Sequence, residues 1–117
     1  MEKLQTYYSS LKIGDPADKS SQLGPLISEK SFNDMQKVLD SLKDKDTKIY
    51  GGYRLEAGSP DEFYVMPAIV EVLQIEEEML NETFAPILYI KKFKNLPNAI
   101  EMQNNVKQGL SLSLIHI

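Results

Sequence analysis

A chain of 117 residues has the length of one ordinary domain, and its 13 basic against 17 acidic side chains leave a net charge of −4 without a basic stripe, which argues against nucleic acid as a partner. It contains no cysteine, so these residues supply no disulfide, no thiolate zinc site and no cysteine nucleophile. Apolar runs stay far short of a membrane span and the start MEKLQTYYSS lacks the features of a signal peptide, so the expectation is a soluble, cytoplasmic protein with no membrane partner, a mitochondrial location remaining open.

Leu4, Tyr7, Tyr8 and Leu11 fall at helical spacing, which predicts a short amphipathic helix over 2–12, stopped by Gly14 and Pro16. Met1 and Glu2 stand where a capping Ser, Thr, Asp or Asn is expected, as in the tail of a longer helix. GDPADKSSQLGPLI, residues 14–27, has neither the helical nor the strand period and reads as a long loop of defined shape. Ser28 then caps a helix over 29–43, with Phe32, Met35, Leu39 and Leu42 on its apolar face and Glu29 in its first turn.

TKIYGG reads as a short strand ending in a Gly51-Gly52 turn. FYVMPAIVEVL, after the polar tip GSPDE, is one or two extended pieces broken at Pro67, and a hairpin or successive strands both fit. Residues 75–80 turn once as a helix, and the apolar run Ile87 to Ile90 has the pattern of a strand buried on both faces. NLPNAIEMQNN is a helix with Asn95 or Leu96 near its cap, Pro97 in its first turn and Gly109 closing it, after which LSLSLIHI alternates like a strand. Strands interleaved with helices place the chain in the α/β class, with a largely parallel sheet.

Most candidate sites have bland readings. His116, the single histidine, has no acidic or hydroxyl partner nearby in sequence and reads as a strand residue. Glu76, Glu77 and Glu78 have no histidines beside them and read as a solvated helix face. Gly14, Gly24, Gly51 and Gly52 do not form a phosphate-cradling pattern, and Tyr7, Tyr8, Phe63 and Tyr64 read as core aromatics in the absence of a basic groove. The stretch NETFAPILYIKKF is the exception, because a carboxylate, Glu82, and an aromatic, Phe84, stand just before an apolar strand and are separated from it by Pro86.

KIGDPAD, QLGPLIS, IYGG, FYVMPAIV, NETFAPILYIKKFKN and NNVKQGLS occur in the order and at the spacings of the aldehyde dehydrogenase superfamily, which the chain resembles up to about Ser111. Thr83, Ala85 and the run Val106-Lys107-Gln108 are most similar to its antiquitin subfamily. Pro67-Ala68 departs from the family's usual Pro-Thr.

The resemblance implies part of an aldehyde dehydrogenase catalytic domain over 1–111, using NAD or NADP, with NAD favoured, to oxidise an aldehyde to a carboxylic acid. It implies that Glu82 accepts hydrogen bonds from the nicotinamide-ribose hydroxyls and that Phe84 packs beside the nicotinamide. Family chemistry also requires a cysteine thiolate and a water-activating glutamate, so the chain resembles a C-terminal piece of that domain and is expected to be inactive alone. The parent enzyme is expected to be a homo-oligomer, and strands separated from their neighbours to leave apolar surface open. The tail Leu112 to Ile117 departs from the family pattern and is expected to carry no function. The rival reading is a short, non-catalytic interaction module that kept part of the fold.

Overall fold

The computed structural model describes residues 1–109 and 111–115. Helix α1 (Glu2–Ser9) ends sooner than its apolar spacing suggests and buries none of its residues. The Ser9 and Ser10 hydroxyls donate back to the Gln5 and Tyr7 carbonyls at 2.6 and 2.7 Å, giving the backbone an alternative to another helical turn. As the sequence implies, no side chain caps its N-terminus.

The loop that follows has a defined shape. Asp15 and Asp18 each accept a bond at 2.8 Å from a backbone N–H two residues on, those of Ala17 and Ser20. A single bridge from Ile13 to Leu23 closes the loop on itself, and one from Leu26 to Phe63 ties its far end to the rest of the structure.

Helix α2 (Glu29–Lys43) has the bounds its sequence predicts, and Met35, Leu39 and Leu42 are its buried stripe. The Ser28 Oγ accepts from the Ser31 N–H at 3.2 Å, satisfying one of the amides that the first turn leaves unpaired. Ser28→Ala is therefore expected to cost about 1 kcal/mol of folding free energy. Urea titration of both proteins checks this, and coincident midpoints would show that the cap contributes nothing.

Three strands, β1 (Thr47–Tyr50), β2 (Ala68–Val72) and β3 (Ile87–Lys91), form one sheet in that order. β1 runs antiparallel to β2, with Thr47 opposite Val72 and Tyr50 opposite Ile69. β3 runs parallel to β2, with Ala68 opposite Ile87 and Val72 opposite Lys91. The α/β class stands, and the sheet is mixed because its two connections differ. Residues 51–67 fold back as a hairpin, whereas residues 73–86 cross over through a 3₁₀ turn at Glu77–Leu80. Of the two arrangements left open for 47–73, the structure thus takes the hairpin. Pairing resumes beyond Gly52, where the Leu55 N–H donates to the Tyr64 carbonyl at 2.8 Å, and Pro67 marks the break before β2.

β2 is the central strand and carries the core. Ala68, Val70 and Val72 point to the same face and pack with Met35, Leu39 and Leu42 of α2, joined by Val65 and Met79. Ile69, on the opposite face, is also buried, as a central strand requires. β3 differs from the sequence reading: Leu88 is exposed and the rest of the strand is only half-buried. Among the described residues no strand pairs with its far edge.

Helix α3 (Leu96–Asn104) begins at an Asn95 cap whose side chain accepts from the Asn98 N–H at 3.0 Å, and it ends before Gly109. Residues 111–115 form no strand, and the rest of the expected tail strand, with His116, lies outside the described residues. Apolar side chains are exposed outside the strands: Ile27, just before α2, is 91% exposed and Leu73, just past β2, 67%. Among the described residues, no helix is long and apolar enough to cross a membrane.

Candidate functional site

The segment from Glu76 to Pro86 carries the chemistry singled out in the sequence, and both its ends are fixed. At its start, Met79 of the 3₁₀ turn is buried against the core. At its end, the Pro86 carbonyl accepts from the Ala68 N–H at 2.9 Å, which locks the chain into the register of β3 on β2. Between them, the backbone at Asn81 is extended, and close bonds from Ala85 to Thr83 and from Ile87 to Ala85 fold the chain tightly around Pro86. Glu82 and Phe84 are both exposed by this path, Phe84 to 77%.

Glu82 lines a concavity of about 320 Å³ together with Thr83, Tyr89, Gln103 and Gln108. The hydrogen bonds and ion pairs formed among the described residues leave its carboxylate unengaged, so both oxygens face solvent as acceptors. The Tyr89 Oη is shut off from solvent without a hydrogen-bond partner among the described residues. Burial, with the Glu78 carboxylate adding to it, pushes this phenol up to about 12, so Tyr89 is a neutral hydroxyl at physiological pH. Phe84 does not line the same concavity: the structure brings Glu82 to it and leaves the Phe84 ring outside.

The three consecutive glutamates differ from their sequence reading. Glu76 and Glu78 are partly buried, and both accept bonds from Lys45 Nζ, at 3.0 and 2.9 Å. Lys45 reaches both Glu78 oxygens, the second at 3.1 Å. The ammonium holds the Glu78 carboxyl below its ordinary range, and Glu78, then Glu76, hold Lys45 above its own. Sequence reasoning missed Lys45 because 31 and 33 residues separate it from its partners, and no helical or strand period reports a contact at that range. Among the described residues, no group of three or more His, Asp or Glu side chains is placed to hold a metal ion.

A three-stranded α/β unit of this kind is one part of a known architecture. Residues 1–115 match the aldehyde dehydrogenase family, and the chain belongs to it. It is 38% identical over 116 residues to alpha-aminoadipic semialdehyde dehydrogenase from Rattus norvegicus, an alignment covering 97% of this chain and 21% of that protein. Aldehyde dehydrogenase family 7 member A1 from Brassica napus is 36% identical over 114 residues, covering 97% of this chain and 23% of that protein. The likeness to antiquitin-type proteins is thereby borne out. A betaine aldehyde dehydrogenase double mutant from Staphylococcus aureus, solved in complex with NAD+, superposes with a TM-score of 0.80 at 22% identity, over 89% of this chain and 22% of that one, which shows the shared fold. The chain thus spans about a fifth of the length of the proteins it matches.

Proposed function

We propose that these residues serve an NAD(P)-dependent aldehyde dehydrogenase by presenting Glu82 and Phe84 to the nicotinamide end of its cofactor. The observation that carries this reading is an unengaged, exposed carboxylate at a concavity, on a segment fixed at both ends. The residues suit a nicotinamide ribose. An ionised carboxylate offers two acceptors to a vicinal diol, and charge-assisted bonds of this kind are the stronger sort. The exposed Phe84 ring offers an apolar face beside the same segment.

When bound, the dinucleotide supplies the hydride acceptor. Glu82 fixes where the ribose sits and so limits the approach of the nicotinamide to near-reactive geometries. The thiolate that attacks the aldehyde must come from outside these residues, which contain no cysteine. Residues 1–111 are assigned to the catalytic domain and 112–117 are given no role. The names of the antiquitin-type relatives favour α-aminoadipic semialdehyde as the aldehyde, and NAD is taken as the cofactor of this proposal.

The test is Glu82→Gln in the native polypeptide that carries this sequence together with its nucleophile. Losing the charge from the ribose contact is expected to slow single-turnover hydride transfer roughly tenfold and to raise the KM for NAD+, with the melting temperature unchanged. NADH absorbance reads the rate. A variant with the parent's rate and KM would sink the assignment.

A further inference from the structure

The Lys45 cluster is not an ordinary surface ion pair. The other ion pairs of the described residues, Lys30 with Asp34 and Lys43 with Asp40, join neighbours on one helical face, with most of these side chains well exposed, a kind that contributes little. Lys45 instead joins two parts of the chain distant in sequence, through three side chains each about 30% exposed. Its own backbone is held on the core. The Lys45 N–H donates to the Leu42 carbonyl at 3.2 Å, the Thr47 hydroxyl donates to that carbonyl at 2.6 Å, and the Leu73 N–H reaches the Asp46 carbonyl. The ammonium therefore projects from a fixed turn between α2 and β1, and what it grips is the entry to the Glu82 segment.

That placement gives the contact a consequence beyond stability. Residues 76–79 are held at two points, by Met79 in the core and by Lys45 on Glu76 and Glu78. Residue 82 follows within one short extended step, and the next fixed point is Pro86. A carboxylate four residues beyond the latch inherits its position from it. With Lys45 removed, the two carboxylates repel each other without a counter-charge, and Met79 alone anchors the start of the segment.

We infer that Lys45 is a positioning residue: an ionic latch that fixes Glu76 and Glu78 and thereby sets where the Glu82 carboxylate meets the ribose of the dinucleotide. The inference rests on the ribose role of Glu82 for its functional half, whereas its mechanical half stands on the contacts alone. Lys45 touches no ligand itself, and it acts through Glu82.

The experiment compares the parent with Lys45→Met, Lys45→Arg, Glu82→Gln and the Lys45→Met, Glu82→Gln double variant, all in the native polypeptide with its nucleophile and with NAD+ as the probe. Lys45→Met is expected to raise the KM for NAD+ about threefold to tenfold. Lys45→Arg, which also donates to both carboxylates, is expected to restore it. In the Glu82→Gln background, Lys45→Met is expected to change the KM by less than about twofold, because two residues acting through one contact are not additive. A lowered melting temperature with an unchanged KM would make Lys45 merely structural and overturn the inference, as would full additivity with Glu82→Gln. Hydrogen exchange of the backbone amides of 76–86, read by mass spectrometry, separates the two claims. If Glu82→Gln alone leaves the KM unchanged, the ribose reading fails, and with it the functional half of the inference. Faster exchange in Lys45→Met would then still support the latch, and unchanged exchange would overturn it.

Discussion

Truncating Leu42 to alanine is expected to remove about 2–5 kcal/mol of folding free energy, the largest loss of any substitution considered for this chain. Leu42 has no solvent exposure, and it ends the α2 stripe within the buried cluster that Val70 and Val72 of the central strand share. Alanine is the better helix former, so propensity works against the loss, and the cost falls on packing. It is the transfer free energy of the missing carbons plus the cavity left where neighbours on a strand cannot collapse inward. Leu42→Met, close in volume, is expected to cost less than about 1.5 kcal/mol. Equilibrium unfolding in urea measures both. Two variants that unfold at the same midpoint would show that volume at this position is not what stabilises the fold.

Gly51→Ala is the second large effect, expected to cost about 2–4 kcal/mol. Gly51 has φ of 74°, a left-handed conformation that costs an ordinary L-residue about 1–2 kcal/mol. An added Cβ would also stand 2.2 Å from the Pro67 carbonyl oxygen, which is backbone and cannot rotate away. Gly52, with φ of 80°, shares the conformational demand, but its Cβ would meet Leu39 Cδ1 at 2.4 Å, the movable end of a side chain. Gly52→Ala is therefore expected to be the milder of the two. Denaturant midpoints for the pair decide the point, and the reverse order would refute the backbone-clash account. Displacing Pro67 also disturbs Ala68, whose N–H holds Pro86, so Gly51→Ala is expected to loosen the far end of the Glu82 segment as well.

Both positions are legible in the sequence itself. The Leu42 stripe follows from spacing, because a helix of 3.6 residues per turn brings positions three and four apart to one face. The Gly51-Gly52 turn follows from residue type, because only glycine occupies positive φ at low cost. The caps at Ser28 and Asn95 and the break at Pro67 are equally local, each depending on a few consecutive residues. α1 stops short of its apolar spacing for a local reason too, since the Ser9 and Ser10 hydroxyls compete for its carbonyls and none of its residues is buried.

The candidate site divides in the same way. Glu82 and Phe84 were singled out by their motif, and the structure places the first at a concavity and the second outside it. The Glu76–Glu78 run gives no sign of a partner in sequence, whereas two of its members are held by Lys45.

The sequence by itself determined α2 and α3 with their caps, the glycine turn and the α/β class, since each depends on backbone preferences and periodicities within a few residues. Only the tertiary structure decided that 47–73 folds as a hairpin, that β3 lies half-buried at an edge, and that Lys45 grips the entry to the Glu82 segment. Those outcomes depend on which distant strands pair and which side chains meet when they do, and no local preference encodes a contact between residues more than thirty apart.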